Sequence, residues 1–203
     1  MQPSLGWTTE MAGHARFTAV LDACVLFPIA TADALLSLAV EGLYAAKWTL
    51  AIEDEWLAVA ERRHPDRAGR FQTRRDAMRE AVVDWEISPA GWQSLTPSLQ
   101  LPDPKDVHVL AAAIAGHADC IVTTNLKDFP ATVLSNYGIT ALHPDDFIVA
   151  QLDLDLFAAL AAFKGMRSRK HSPAYSGEQF ADAMERNGLV ATAERLRAAV
   201  SLI

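Results

Sequence analysis

The stretch Leu101–Pro130, LPDPKDVHVLAAAIAGHADCIVTTNLKDFP, constrains the fold more than any other part of the chain. Asp103 and Asp106 open it, with Pro104 between them. An alanine-rich run follows, placing Val107, Leu110, Ala111 and Ile114 at the i, i+3, i+4, i+7 spacing of one helical face. Gly116 and Asp119 break that run. The apolar segment Cys120–Thr124 then reads as a strand, leading into Asn125-Leu126-Lys127-Asp128-Phe129. A helix with carboxylates at its N-terminus is thus joined by a short turn to a strand that ends near another carboxylate. In α/β folds, ligands gather outside the carboxyl ends of parallel strands. The stretch points to an acidic site in such a fold.

The rest of the chain supplies the neighbours. Phe17–Leu21, ending at Asp22, reads as a buried parallel strand. Ala23–Pro28 reads as a loop closed by its proline. Thr31 or Asp33 can cap a helix reaching about Leu43, and a second helix spans about Ala51 to Arg63, with Glu53, Asp54 and Glu55 in its first turns. Ala81–Ile87 can include a short strand, and Ile139–Leu142 reads as another. His143-Pro144-Asp145-Asp146 has the residues of a well-capped helix start. Strands alternating with helices predict a three-layer α/β/α domain with a parallel sheet over residues 17–149. Residues 150–203 read as helices only. Leu152–Phe163 is apolar-rich, Ser176 with Gln179 forms a capping box, and Gly188 ends that helix before Ala191–Ile203. This predicts a C-terminal helical subdomain.

Composition narrows the setting. The two cysteines, Cys24 and Cys120, form no CxxC pair and read as buried thiols in a reducing, cytoplasmic environment. Residues 1–16 lack a continuous apolar core and read as a loose leader rather than a secretory signal. The longest apolar region, Ile29–Ala46, contains Asp33 and Glu41 and is too polar to span a membrane. A net charge of -7 does not favour nucleic acid by bulk electrostatics, so only a local concentration of basic residues could. One exists. Seven of the 18 basic residues are arginines between Arg62 and Arg79. Arg70, Arg74 and Arg75 could share a face that tracks phosphates, and Arg167, Arg169 and Lys170 form a second basic turn. The competing reading is a solvated helix laced with ion pairs.

Asp22, Asp106 and Asp128 fall where chain reversals would bring them together, and Glu55 could join them from its helix. Clustered carboxylates repel one another, so a native cluster needs a compensating cation. An oxygen-only donor set suits Mg²⁺ or Mn²⁺, which can activate water and neutralise a phosphodiester. Each acid also has a duller role. Asp103 can be a helix N-cap, Asp106 can complement a helix dipole, and Asp128 can be a turn residue. The histidines show no zinc-ligand spacing, and neither a G-x-S-x-G elbow nor a Gly-rich phosphate loop is present.

At these residues the sequence resembles the PIN domain family. The matching pieces are Val20-Leu21-Asp22-Ala23-Cys24-Val25-Leu26, Glu55, Asp103–Ala113, and Ile121–Phe129. The resemblance implies a metal-dependent ribonuclease acting on RNA, commonly the toxin of a VapBC-type pair with a small antitoxin as partner. It leaves room for a homodimer and implies no membrane. It also implies that Asp22, Glu55, Asp106 and Asp128 form the catalytic and metal-binding acidic set. Asn125 departs from the family, in which an aspartate is common at that position; it can still orient a water or ligand. The alternative is a non-catalytic nucleic-acid-binding or scaffold domain that kept the fold. A haloacid-dehalogenase-like phosphohydrolase would need an aspartate where Cys24 stands.

Overall fold

Among the described residues, four short strands form one parallel sheet: β1 (Thr18–Leu21), β2 (Ala45–Lys47), β3 (Cys120–Val122) and β4 (Thr140–Leu142). The computed structural model describes residues 16–171 and 173–203, so the expected leader lies, apart from Arg16, outside the described residues. The strand order is β2-β1-β3-β4. Val20 faces Lys47 on one side and Ile121 on the other, and Ile121 in turn faces Ala141. Ala19, Val20 and Leu21 of β1, like Cys120, Ile121 and Val122 of β3, are buried. That is why both strands read as unbroken apolar runs: in a parallel sheet covered on both faces, neither side of a central strand meets water.

Helices α1 (Ala23–Leu26) and α2 (Ile29–Val40) connect β1 to β2. Helices α3 (Leu50–Arg63), α4 (Ala68–Ala81), α5 (Pro89–Trp92) and α6 (Val107–Ala115) connect β2 to β3, and α7 (Ala131–Leu134) connects β3 to β4. From β1 the chain steps outward to β2, then returns past β1 to β3. Right-handed crossovers therefore put α2 on one face of the sheet and the α3–α6 layer on the other. The expected three-layer α/β/α fold is the observed one. Helices α8 (Pro144–Leu154), α9 (Leu156–Ser168), α10 (Gly177–Arg186) and α11 (Val190–Ala198) follow as the helical C-terminal region. No helix among the described residues is long and apolar enough to cross a membrane.

Several boundaries follow from caps that the sequence carries. The Thr49 hydroxyl accepts from the Ile52 amide at 3.1 Å and starts α3. Asp103 accepts from the Lys105 amide at 2.9 Å, with Pro104 next, and starts the 3-10 turn Pro104–Asp106 that leads into α6. Ser176 and Gln179 exchange both bonds of the capping box at the head of α10. Other expectations need correction. Ala23–Pro28 is not a loop throughout: α1 makes one helical turn there, and α2 begins at Ile29 and ends at Val40 rather than Leu43. Ala81–Ile87 holds no strand; Glu86 forms a single parallel bridge to Trp48. The last helix ends at Ala198 rather than Ile203. Strand β2 had no counterpart in the sequence reading, because Ala-Ala-Lys carries almost no strand propensity and β1 alone recruits it.

Two buried carboxylates hold the layers together. Glu53 is almost fully buried in α3. It accepts from Trp48 Nε1 at 3.0 Å and from Arg79 of α4 at 2.6 and 3.2 Å. The Arg79 guanidinium also lies 5.0 Å over the Trp85 ring, which stacks on Trp48. Asp145 in the first turn of α8 accepts from the Ala191 and Thr192 amides at 2.8 and 2.9 Å and from the Thr192 hydroxyl at 2.6 Å. It thereby caps α11 from another helix. The expected division between residues 149 and 150 falls inside α8.

Removing one partner of a buried ion pair leaves the other charge desolvated and costs about 3–5 kcal/mol. Arg79 keeps a third of its side chain in water, so the cost here is smaller. Glu53→Ala is expected to destabilise the protein by about 2–3 kcal/mol in urea unfolding, more than Asp54→Ala, which sits on the exposed side of the same helix.

Candidate active site

The sheet order reverses between β1 and β3, and their carboxyl ends open onto the crevice where doubly wound folds bind ligands. Asp22 leaves β1 at this point, its amide donating to the Val122 carbonyl at 3.1 Å. Its carboxylate is nearly buried. Oδ2 accepts from the Thr123 hydroxyl at 2.7 Å and from the Cys24 thiol at 3.1 Å. The Thr123 oxygen in turn accepts from the Asn125 amide at 3.0 Å, and the Cys24 sulfur from the Thr124 amide at 3.2 Å. Burial, followed by the charge of Asp22, pushes the Cys24 thiol up to about 11. Cys24 is therefore a protonated donor at neutral pH, not a nucleophile.

Asp106 ends the 3-10 turn that leads into α6 and is half-buried. Burial pushes its carboxyl up to about 6, and Asp22, Asp103, Asp128 and Glu55 push in the same direction. Asp128 is half-buried in the 3-10 turn Leu126–Asp128 that follows β3. Glu55 reaches over from α3. Its carboxyl is raised by burial, drawn back by His108, raised by Asp22 and drawn back by Lys105. Asp22, Glu55 and Asp128 thus all lie within electrostatic reach of Asp106, and Asp103 adds a fifth charge beyond its capping role. Asn125 is exposed, and its backbone amide donates to the Thr123 hydroxyl, which in turn donates to Asp22.

The donor set fits a hard divalent cation by its chemistry: oxygen ligands only, and like charges that need a counter-ion. Among the described residues, no three Asp, Glu, His or Cys side chains converge closely enough to hold an ion alone. Mg²⁺ commonly takes only one or two protein carboxylates and fills its shell with waters and substrate phosphates, which reconciles the two observations.

Three residues at the site carry roles that the motif reading did not assign. Thr123 orients Asp22, and the signal was the hydroxyl at the strand end. Cys24 is partly exposed and shares that task, where burial alone was expected. His108 donates through Nδ1 to the Lys105 carbonyl at 2.7 Å, which leaves Nε2 3.6 Å from Glu55 without a hydrogen bond. No sequence spacing pointed to it.

The basic residues are distributed differently from the expected stripe. Arg74 donates to the Leu26 and Phe27 carbonyls and lies 4.9 Å over the Trp56 ring, so its guanidinium is not available to a phosphate. Arg75 is bonded to Asp76 at 2.8 Å and is 3.6 Å from Glu53. Arg70 is exposed. Arg169 bonds Asp33 at 2.6 Å with Lys170 at 3.5 Å from the same carboxylate, and Arg167 donates to the Tyr175 carbonyl at 2.8 Å. Most of these cations knit helices together.

The sequence model described as PIN domain matches residues 18–127, more than half of the chain. The chain belongs to the PIN domain family. A second family model, described as VapC50 C-terminal domain, matches residues 144–198. The chain is also similar to the protein named "Putative ribonuclease VapC50" of Mycobacterium tuberculosis (strain ATCC 25618 / H37Rv), with 49% identity over 80 residues. That match covers 39% of this chain and 47% of the relative, so the chain spans about half of that protein. No solved structure matches. In this PIN domain the matched region contains Asp22, Glu55, Asp103, Asp106 and Asn125, and ends one residue before Asp128.

The raised Asp106 carboxyl has a consequence for stability. Its folded pKa of about 6 lies above the ordinary 3.8, so the folded state holds the proton more tightly. Stability therefore falls as pH rises between those values and stays lowered above them. Asp106→Asn is expected to abolish that fall. Melting curves from acid to neutral pH in EDTA should leave the variant the more stable protein at neutrality.

Proposed function

We propose that this PIN domain is a Mg²⁺- or Mn²⁺-dependent endoribonuclease that cleaves RNA phosphodiester bonds. The observation that carries the reading is Asp106. Its carboxyl is held near 6 by burial and four neighbouring carboxylates, at the topological switch point of a parallel sheet. Perturbed carboxylates in such a crevice mark sites that need charge there. Asp22 and Asp106, with Glu55 and Asp128 behind them, would hold the ion. The ion would activate water and neutralise charge on the scissile phosphate.

The chain's own residues prepare that arrangement. Thr123 and Cys24 fix the Asp22 carboxylate by donating to a single oxygen. Asn125, anchored through Thr123, is positioned to orient a water or a ligand. Arg70 is retained as a phosphate contact, whereas Arg74 is not. The similarity to a protein named as a ribonuclease supports the reaction class. The helical region after residue 149, led into by α8, belongs in this reading to the same toxin-like architecture. A small antitoxin would be its inhibitor, in a cytoplasmic setting suited to two unpaired cysteines.

Purified protein is expected to cleave single-stranded RNA in Mg²⁺ or Mn²⁺, with activity lost in EDTA. Asp22→Asn and Asp106→Asn each remove a charge that holds the ion while keeping size, so cleavage should fall by orders of magnitude. Equal residual cleavage by wild type and Asp106→Asn would identify a contaminating nuclease and leave the non-catalytic scaffold as the better reading. Asn125→Asp supplies the acid common in the family. It should lower the Mg²⁺ concentration needed for half-maximal cleavage, measured by titrating the metal at fixed RNA.

A further inference from the structure

A cleft of about 410 Å³ opens where the α1–α2 connection and α4 meet the C-terminal helices α9 and α10. Its walls combine aromatic rings and cations. Phe27, Phe71 and Tyr175 line it together with His64, Arg67 and Lys170. Although the chain carries a net charge of -7, no carboxylate lines this cleft among the described residues. The nearest acidic partners stand at its rim: Asp33 is 3.5 Å from Lys170, and the exposed Asp66 is 3.5 Å from Arg67. Phe27 caps α1, five residues after Asp22. One helical turn, with Asp22 as its N-cap and Phe27 as its C-cap, therefore joins the acidic site to the cleft wall.

The geometry points to this cleft as the subsite for a nucleotide of single-stranded RNA flanking the scissile phosphate. The inference rests on the reading that the acidic site acts on RNA, and gives that substrate its single-stranded character. Unstacked bases bind by lying against aromatic rings, while neighbouring cations follow the backbone. Tyr175 and Phe27 are both partly exposed; Tyr175 offers its ring surface, while the Arg63 guanidinium lies 5.1 Å over the Phe27 ring and adds a cation beside the cleft. Arg67, whose side chain is exposed and 3.5 Å from the exposed Asp66, offers charge at the rim, whereas Lys170 shares Asp33 with Arg169. A duplex would bring stacked bases and could use neither ring. Part of the wall, Lys170 and Tyr175, comes from the helical region that follows the PIN fold, so that region would contribute to substrate choice rather than serve as packing alone.

Tyr175 makes a clean test. Its carbonyl accepts from Arg167, a bond that truncating the ring keeps, and Tyr175→Phe keeps the packing of the ring against the core as well. Short mixed-sequence 2′-O-methyl RNA, labelled with fluorescein, is titrated against wild type, Tyr175→Ala, Tyr175→Phe and Arg67→Gln. Tyr175→Ala should weaken binding about 5- to 150-fold, the range for losing one base–aromatic stack. Tyr175→Phe should retain it. Arg67→Gln should flatten the log–log salt dependence by about 0.7, one single-strand phosphate contact. Unchanged affinity in Tyr175→Ala together with an unchanged slope in Arg67→Gln overturns the subsite. If that occurs while the wild type still cleaves RNA, the nuclease reading stands alone. If binding depends on Tyr175 but the wild type never cleaves, the subsite stands and the nuclease reading falls. An acidic peptide that binds with Tyr175 dependence when RNA does not would assign the cleft to a protein partner instead and also overturn the proposal.

Discussion

The bond from the Thr123 hydroxyl to Asp22, between two residues a hundred positions apart, holds the site to the sheet. It joins the carboxyl ends of β1 and β3, the two central strands, where the sheet order reverses. Proton accounting makes the arrangement directional. Each of Thr123 and Cys24 has one proton to give and accepts from one backbone amide, that of Asn125 or Thr124. Both can then direct their protons to Asp22 Oδ2. The polarity of the β3 exit is passed through an oxygen and a sulfur to a single carboxylate oxygen, and linked bonds of this kind reinforce one another. Asp22 is thereby fixed before any ligand arrives.

The parts of the fold legible in sequence were those in which one segment carries its own signal. The α6 periodicity, the caps at Asp103 and Ser176, and the apolar runs of β1 and β3 needed no distant partner. The parts that were not legible depend on contacts that sequence does not display. Strand β2 exists because β1 offers it an edge. The arginines of α4 looked like a phosphate stripe because charge is visible in a sequence and its partner is not. Arg74 meets the carbonyls of Leu26 and Phe27 at the C-terminal end of α1, and Arg79 meets Glu53.

Glu53 and Glu55 make the same point at a smaller scale. They stand two residues apart in a helix, about 200° around its axis, and so face opposite ways. Glu53 turns into the core toward Trp48 and Arg79; Glu55 turns toward His108 and the acidic site. Nothing in Glu-Asp-Glu distinguishes them. The helix alone allowed Glu55 to join the aspartates, the resemblance to the PIN domain family singled it out, and the two side chains do have different surroundings.

Three kinds of carboxylate can therefore be separated by what they touch. Glu53 is neutralised by an arginine and a Trp N–H. Asp145 is satisfied by two amides and a hydroxyl at the head of α11. Asp106 has burial and four other carboxylates pressing on it, and among the described residues its side chain accepts no hydrogen bond. The first two charges are matched by the protein and contribute to its stability. The third is left unmatched by an otherwise well-satisfied scaffold. A fold that caps a helix with a carboxylate from another element does not lack the means to neutralise Asp106. In the proposed reading, that unmatched charge is what a cation bringing its own waters and the substrate phosphate would meet.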